Sequence, residues 1–503
     1  MTERKRRTAD RKRSRRKKVK EQKRRKAFEL KRLRRQAVEV DFNGGTLTSD
    51  GGLVILREAD RRLDLIRRIE QAIPDPRDPL YTTHTQTEIL TSRIFGIAAG
   101  YEDGNDHETL RHDPAFQTAV GRTPAENDYS EDNANVPLAS PSTHSRFENR
   151  VDAASMFRMH EVMVDTFLDS FAEPPADITL DFDATDDRVH GEQQLRHFNG
   201  HYDGYCFLPL YVFCGDQILV SYLRPSSKGA AHHAPGITKL LVEKIRSHWP
   251  NVRIILRGDS AYSVPRLMKW CDSNDVGYVS GLAKNKVLER RLACEMTRAH
   301  IAFSRTRQKQ ARFTWFRYRT GRTWDRHRWV VGKAEYTDKG ANPRFVVTNL
   351  PPGDHITDAT YHRVKVNGKS VRRIKDPGTQ CSPNINPEQF YREMYCQRGE
   401  MENRIKEQQL CLFADRTSCT KFMANQFRLL LSSFAYVLLD GVRRLGLSGT
   451  GAARWRVDTI RVRLLKIASR VRVTARRVVF HLCSHCPEAN LFDEVLLRLC
   501  RSG

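Results

Sequence analysis

The sequence predicts a mixed α/β protein in which one β-sheet carries helices on both faces. Three strand-like runs follow one another from residue 177, and alternating helical and strand-like segments come after them. A further block rich in strand-like runs follows, and helical patterns dominate both ends of the chain. With 503 residues, the chain is long enough for roughly three domains of about 150 residues each.

The central segments have the composition of buried strands and amphipathic helices. Apolar runs rich in β-branched and aromatic residues predict strands, and apolar residues at helical spacing predict the helices between them. In chain order, the segments are DITLDFDA, GYCFLPLYVFC and QILVSYLR as strands, GITKLLVEKIRSHW as a helix, VRIILRGD as a strand, PRLMKWCDSN as a helix and VGYVSGL as a strand. The order βββαβαβ is that of a ribonuclease-H-like sheet, so we predict a ribonuclease-H-like catalytic core over residues 151–412.

An antiparallel β insertion is predicted within this core, at about residues 300–385. Its strand-like runs are FTWFRYRT, RHRWVVGKAEYT and PRFVVTNL, and the segments between them contain turn-forming residues. The residues that follow, PEQFYREMYCQRGEMENRIKEQQLCLF, predict one long helix with Pro387 in its first turn.

The two ends of the chain differ in charge. Residues 1–38 hold 20 lysines and arginines against four acidic residues, and they contain neither glycine nor proline. Like-charge repulsion predicts a disordered basic arm, which is either a nucleic-acid-binding arm or a solvated tail. Residues 39–150 predict a helical DNA-binding region, although a plain helical bundle fits the spacing equally well. Residues 413–503 predict a C-terminal helical region.

The composition indicates a polyanion as the partner. The net charge is +26 and the isoelectric point about 9.8, which favours nucleic acid first. The eleven cysteines are scattered and odd in number, as expected for reduced thiols in a cytoplasm. The most apolar run, LLLSSFAYVLL at 429–439, is shorter than the ~20 residues of a bilayer span and predicts a buried helix, so no membrane partner is expected.

The run LDFDATDD places several carboxylates at the end of a predicted strand. Side chains alternate along a strand, so Ile178, Leu180 and Phe182 share the core face. Asp181 and Asp183 share the opposite face, where two carboxylates a few ångströms apart repel by about 4 kcal/mol at a dielectric near 20. Bound cations, basic partners or a raised pKa must offset this repulsion.

Two further carboxylates have matching positions. Asp259 ends the strand IILRGD, so Asp183 and Asp259 meet if the first and fourth strands are neighbours. On the long helix, Glu402 shares a face with Tyr395, Arg398, Ile405 and Lys406, whereas Glu400 and Glu407 lie on other faces and are predicted to be solvated. Three such carboxylates fit a site for Mg²⁺ or Mn²⁺ that acts on phosphodiesters.

The segments LDFDATDDRVHGEQ, ILRGDSAY and YCQRGEMENRIKE resemble the DDE transposases of bacterial insertion sequences. Within the insertion-sequence-four group, the sequence is most similar to the insertion-sequence-thirteen-eighty family, over about residues 40–500. The resemblance implies cut-and-paste DNA transposition by a homodimer in a bacterial cytoplasm, in association with the nucleoid. The implied partners are the terminal inverted repeats of the transposon and a target DNA.

The resemblance also implies roles for individual residues. Asp183, Asp259 and Glu402 correspond to the catalytic triad that holds Mg²⁺, with Mn²⁺ as an alternative, and Tyr395 and Arg398 match a group signature that contacts DNA. The lysine of that signature is Gln409 here, and Lys406 is the candidate substitute for its DNA contact.

Several alternatives remain open from the sequence. Either Asp181 or Asp183 is the first metal ligand, and Asp183 is favoured because Ala184 and Thr185 follow it as in the group. A ribonuclease-H-like nuclease or resolvase that only hydrolyses DNA, or an inactive DNA-binding derivative, is the alternative function.

Overall fold

The computed structural model describes residues 28–41, 44–124, 137–350, 361–366, 369–374 and 385–501. Residues 1–27, most of the predicted basic arm, lie outside the described residues, as does much of the segment between 351 and 384. The fold of the described residues is mixed α/β, as the sequence predicts, with many helices around one large mixed sheet.

The strands occupy the segments that the sequence indicates, with some additions. In chain order they are β1 (Phe28–Leu33), β2 (Gln36–Val40), β3 (Leu47–Thr48), β4 (Asp177–Ala184), β5 (Asp187–Arg188), β6 (His197–Asn199), β7 (Gly204–Phe207), β8 (Leu210–Cys214), β9 (Gln217–Tyr222), β10 (Arg253–Gly258), β11 (Val276–Leu282), β12 (Gln310–Tyr318), β13 (Arg328–Thr337), β14 (Gly340–Thr348), β15 (Tyr361–Val366), β16 (Lys369–Ile374), β17 (Ser469–Thr474) and β18 (Arg477–Leu482).

The largest described sheet has the strand order β12-β13-β14-β11-β10-β4-β8-β9. Strands β4, β10 and β11 are parallel neighbours, whereas β8 and β9 continue the sheet antiparallel beyond β4. The predicted antiparallel insertion does not form a separate block, because β14 pairs with β11 and extends the same sheet. The run GYCFLPLYVFC divides into β7 and β8, and β7 joins a small sheet with β5 and β6.

Helices surround the sheet and fill both ends of the chain. In chain order they are α1 (Leu53–Leu63), α2 (Leu65–Ala72), α3 (Gln86–Ala99), α4 (His107–Leu110), α5 (Pro114–Ala119), α6 (Pro141–Glu148), α7 (Ala153–Leu168), α8 (Ala234–His248), α9 (Pro265–Ser273), α10 (Lys286–Thr306), α11 (Pro387–Phe390), α12 (Arg398–Lys406), α13 (Phe422–Gly441), α14 (Val457–Ile460) and α15 (Ala489–Cys500). Wide π-helical turns follow four of them, at Tyr391–Tyr395, Glu407–Cys411, Val442–Leu447 and Arg461–Leu465.

The two faces of the sheet are covered by different elements. Ile178, Leu180 and Phe182 are buried in one apolar cluster with side chains of α8, α9 and α10, so the predicted core face of β4 is confirmed. On the opposite face, α11 and the turn after it place Phe390, Tyr391 and Met394 over strands β10, β11, β13 and β14. This second face carries Asp181 and Asp183.

The N-terminal and C-terminal helical regions share one hydrophobic core. A single cluster of buried residues extends from Leu53 in α1 to Leu499 in α15. Backbone hydrogen bonds join the two regions directly, since the amides of Gly51 and Gly52 donate to the carbonyls of Ile467 and Leu465 at 3.0 and 3.1 Å. Residues distant in sequence therefore form one helical body beside the large sheet.

The structure differs from the sequence predictions at three places. Residues 28–38 were predicted to belong to the disordered arm, but they enter the hairpin β1–β2. Its strands FELKRL and QAVEV pair antiparallel on either side of a turn at Arg34. The C-terminal region is not wholly helical, because the alternating run SRVRVT forms β17, which pairs with β18 and β3. The 21-residue helix α10, which precedes the insertion strands, was not predicted.

The apolar run of the C-terminal region forms part of a core helix. Among the described residues, the helix Phe422–Leu447 has 26 residues and is long and apolar enough to cross a membrane. However, 83% of its most apolar window is buried inside the protein. The prediction of a buried helix at 429–439 is confirmed.

Candidate active site

Asp183 and Asp259 lie at the ends of two neighbouring parallel strands. The register of β4 and β10 runs to the pair Phe182 and Gly258, and each aspartate is the next residue of its strand. Asp183 accepts a hydrogen bond from the amide of Ala184 at 2.9 Å. Asp259 accepts from the amide of Ala261 at 2.9 Å and so caps the short 3₁₀ helix Ser260–Tyr262. Both side chains are half-buried at the carboxyl edge of the sheet.

Arg398 joins Glu402 to this edge. The Nη1 atom of Arg398 lies 3.1 Å from Oδ2 of Asp183, and its Nη2 atom lies 2.8 Å from Oε1 of Glu402. The two α12 residues are four apart, so they lie on one helix face, as predicted. One guanidinium thus bridges acidic side chains that are more than 200 residues apart in the chain.

The surroundings of Asp183 disfavour its ionised form. Its pKa is raised to about 6, chiefly by burial; Arg398 opposes this rise, whereas the neighbouring Asp259 and Glu402 contribute to it. Arg398 therefore offsets part of the repulsion between the carboxylates, and a further cation at this edge would be favourable.

The donor chemistry fits a hard divalent cation, although the side chains are not arranged around one. All three predicted ligands offer carboxylate oxygens, which Mg²⁺ and Mn²⁺ prefer. In the part of the chain that the structure describes, no three His, Cys, Asp or Glu side chains form a group that could hold a metal ion. Arg398 lies between Asp183 and Glu402 and forms an ion pair with each of them.

Asp181 is engaged in a different interaction from Asp183. It forms a buried bidentate ion pair with Arg257, with Nε–Oδ1 and Nη2–Oδ2 distances of 2.5 and 2.7 Å. Arg257 also donates from Nη1 to the carbonyl of Met394 at 2.9 Å. The pair therefore anchors the segment before α12 to the sheet, and Asp183 is the aspartate of β4 that faces Glu402.

The remaining carboxylates of LDFDATDD stabilise the chain beyond β4. Asp187 is fully buried and accepts a hydrogen bond from the hydroxyl of Thr417 at 2.7 Å, and burial raises its pKa to about 7. The carbonyl of Asp186 accepts from Nε2 of Gln409 at 3.1 Å. Gln409, at the position of the signature lysine, thus supports the loop after β4. Lys406 is exposed one turn beyond Glu402.

Tyr395 lies against the strand ends rather than in solvent. Its ring packs on Tyr391, with 5.4 Å between ring centroids. A Cβ atom at Gly281 of β11 would come within 2.8 Å of the Tyr395 hydroxyl and of the Ser260 amide nitrogen. Tyr395 is therefore in close contact with the loop that carries Asp259, and burial raises the pKa of its phenol.

Two predictions about nearby charges need correction or addition. Glu407, predicted to be solvated, is buried and pairs with Arg404 at 2.6 Å and Arg443 at 3.2 Å, because this side of the helix packs against the C-terminal region, where the amide of Val457 also donates to it. Arg257 was not identified from the sequence. If β4 and β10 are aligned so that Asp183 meets Asp259, then Asp181 and Arg257, two positions earlier on each strand, must also meet. The sequence therefore contained a signal for this ion pair.

The chain is similar to known proteins over most of its length. The family profile described as "Transposase DDE domain group 1" matches residues 30–503, which is most of the chain. Among solved structures, the chain is similar to a piggyBac transposase in a synaptic complex with hairpin DNA, with a TM-score of 0.37 and 11% sequence identity over 87% of this chain and 81% of that one. No curated protein sequence matches this chain significantly. Because this family profile matches far more than half of the chain, the chain belongs to the group 1 family of transposase DDE domains.

Proposed function

We propose that this protein is a cut-and-paste transposase that cleaves DNA strands at the ends of a mobile element and joins them to a target. The supporting observation is the convergence of Asp183, Asp259 and Glu402, from three distant segments, around Arg398 at the carboxyl edge of β4 and β10. The sheet order β9-β8-β4-β10-β11, with three antiparallel strands followed by two parallel ones, supports a ribonuclease-H-like core.

The chain's own residues have distinct parts in this proposal. Asp183, Asp259 and Glu402 would hold Mg²⁺ or Mn²⁺, which when bound supplies Lewis acidity to the oxygens of the phosphodiester. Arg398 and Tyr395 lie beside these carboxylates and would contact the DNA backbone near the scissile phosphate, with Lys406 on the exposed side of the same helix. The Asp181–Arg257 pair holds the segment before α12 in position against the sheet.

The release of Arg398 links DNA binding to the chemistry in this proposal. In the described conformation its guanidinium forms ion pairs with both Asp183 and Glu402. A DNA phosphate is an alternative anionic partner for the guanidinium, and guanidinium groups bind phosphates bidentately. Transfer of Arg398 to a phosphate would leave the carboxylates free to hold the metal ion.

The finer assignment follows the sequence resemblance. We propose that the element is a bacterial insertion sequence of the thirteen-eighty family, and that the protein acts in the cytoplasm with the nucleoid. A homodimer would hold the two terminal inverted repeats while it engages the target DNA.

A strand-transfer assay with the Asp259→Asn variant tests the function. Wild-type protein should cleave a transposon end and join pre-cleaved ends to a target plasmid when Mg²⁺ is present, and a chelator should stop both reactions. Asp259→Asn should abolish both while binding the end within a few-fold of wild type, because the substitution removes one carboxylate and leaves the surface charge nearly intact. Asp169→Asn, which changes an exposed aspartate paired with Arg68, is the matched control and should keep activity.

Each other outcome favours a different conclusion. Cleavage without joining by the wild-type protein would support a hydrolytic nuclease or resolvase. Binding without either reaction would support an inactive DNA-binding derivative. Equal cleavage by wild type and Asp259→Asn would refute the proposed site.

A further inference from the structure

The hairpin β17–β18 has one buried and one exposed face. Along β17 the burial alternates strictly, so that Ser469, Val471 and Val473 are buried while Arg470 and Arg472 are exposed. This alternation is the period of a strand with one face on a core. The arginines are therefore held on the outer face by the same pleat that buries the valines.

The strand register gathers more positive charge on this outer face. Arg470 lies opposite His481, Arg472 lies opposite Val479, and Thr474 lies opposite Arg477. The hydroxyl of Thr474 accepts from the amide of Arg477 at 3.1 Å and fixes the turn between the strands. Three exposed arginines, Arg470, Arg472 and Arg477, thus lie on one rigid surface, which we term the hairpin face.

The arginines of the hairpin face have no partner among the acidic side chains that the structure describes. No acidic side chain in the described ranges of the chain forms an ion pair with Arg470, Arg472 or Arg477. By contrast, the nearby Arg463 pairs with Glu488, and Arg461 donates to the carbonyl of Ala98 at 2.8 Å. The positive charge of the hairpin face is therefore available to a partner outside the chain.

Protection of a sheet edge does not account for this charge. Charged side chains on edge strands commonly block aggregation. However, Arg470 pairs with Leu47 of β3 on one side and with His481 of β18 on the other, so it lies in the middle of this sheet, and Arg470 and Arg472 project from the same face. Exposed like charges on one face of a sheet repel one another, and a bound polyanion removes that repulsion.

We propose that the hairpin face binds the phosphate backbone of duplex DNA, as a contact separate from the carboxylate site and from the basic arm. The inference rests on the proposed function, which makes DNA the polyanion that this protein encounters. Side chains two residues apart on a strand are about 6.8 Å apart. DNA carries a phosphate about every 3.4 Å along each strand, so Arg470 and Arg472 can reach different phosphates.

The salt dependence of DNA binding tests this proposal. A triple variant, Arg470→Gln with Arg472→Gln and Arg477→Gln, is made in the Asp259→Asn background so that the DNA stays uncleaved. Binding to a duplex is measured by fluorescence anisotropy at several salt concentrations. In a plot of the logarithm of the binding constant against the logarithm of the salt concentration, each lost phosphate contact reduces the magnitude of the slope by about 0.9. The loss of three contacts should therefore reduce it by about 2.7.

A charge-matched control separates a local contact from the general effect of net charge. Arg61, Arg67 and Arg298 are exposed, and each pairs with an acidic side chain three residues earlier. Their triple substitution by glutamine removes the same formal charge and should leave the slope unchanged. Substitution of the three hairpin-face arginines by lysine should preserve the slope, because lysine keeps the positive charge at each position.

The possible results separate this inference from the proposed function. An unchanged slope in the hairpin-face variant, or an equal fall in the control, would overturn the inference and leave the transposase assay unaffected. A fall in the slope for an RNA duplex but not for DNA would also overturn it. The predicted fall in the slope, together with a wild-type protein that neither cleaves nor joins DNA, would refute the proposed function and leave the DNA contact standing.

Discussion

Two aspartates on the same face of β4 show how position sets the role of a residue. Asp181 is buried and satisfied by both nitrogen atoms that Arg257 directs at it. Asp183, two residues later, reaches the edge of the sheet, shares Arg398 with Glu402 and keeps a pKa near 6. Burial raises the pKa of both carboxylates, but the hydrogen bonds from Arg257 oppose that rise at Asp181, whereas Asp259 and Glu402 add to it at Asp183.

Substitution of these two aspartates by asparagine should therefore have opposite effects on stability. Asp181→Asn should lower the free energy of unfolding by about 3–5 kcal/mol, because it leaves the Arg257 charge buried without its partner. Asp183→Asn should not lower the free energy of unfolding. At pH 7 the substitution should raise this free energy by up to about 3 kcal/mol, because the folded protein disfavours the ionised form of Asp183. Urea denaturation of both variants and of wild type at pH 7 measures the difference.

The activity of the same variants provides the second half of this test. Asp183→Asn should be stable and inactive in the cleavage assay. A loss of stability in Asp183→Asn as large as that in Asp181→Asn would contradict the distinction drawn between the two carboxylates.

At the scale of elements, the helical segment 387–411 departs from a continuous α-helix. The sequence predicts one continuous helix, and the structure has a π-helical turn at Tyr391–Tyr395 before α12 begins at Arg398. The turn keeps Phe390, Tyr391 and Met394 buried on the sheet while Tyr395 packs beside the loop of Asp259. Such turns depend on tertiary packing and are common near functional sites.

The close approach of β11 to this helix predicts the effect of a small substitution. In Gly281→Ala, the new methyl group would meet the Tyr395 hydroxyl and the Ser260 amide nitrogen at 2.8 Å, and the latter is backbone that must shift. We expect a loss of about 1–3 kcal/mol of stability and a decrease of at least about tenfold in strand joining, because Asp259 moves with that loop.

The matched control for this substitution lies in α8. A Cβ atom at Gly236 would meet no atom within 4 Å, so Gly236→Ala should keep joining activity and slightly raise the melting temperature. If Gly281→Ala joined DNA as well as Gly236→Ala, the proposed coupling of Gly281 to the Asp259 loop would be wrong.

At the scale of the whole molecule, the two ends of the chain fold together. The tightest contact is at Gly52, where a Cβ atom would lie 1.8 Å from the carbonyl oxygen of Leu464. Asp50 reinforces the same junction, because it accepts from Nζ of Lys466 at 2.6 Å and from the hydroxyl of Tyr101 at 2.7 Å. The N-terminal helical region therefore requires the C-terminal residues to complete its core.

Gly52→Ala should destabilise both ends of the chain at once. We expect a loss of about 3 kcal/mol, because the methyl group would displace the backbone of the other region. In hydrogen exchange, amides of α1 and α15 should lose protection together, whereas Gly451→Ala, at an open position, should change neither. Loss of protection in α1 alone would show that the two regions unfold independently.

Much of the fold follows from local sequence patterns. The alternation of apolar residues predicts β4 and its buried face, and the order βββαβαβ predicts which strands follow one another. The prediction of a meeting between Asp183 and Asp259 follows from the parallel pairing of two such strands. These features depend on residues close in sequence, whose geometry is set by the period of a strand or helix.

The remaining features depend on residues that are distant in sequence. The attachment of the insertion strands to β11, the shared core of the two chain ends and the burial of Glu407 each result from packing between separate segments. The same is true of Arg398, whose helix position was predictable but whose bridge from Asp183 to Glu402 was not. Strand periodicity and helix spacing carry no information about which distant surface will cover a side chain. Only the folded arrangement of those surfaces specifies which charges meet.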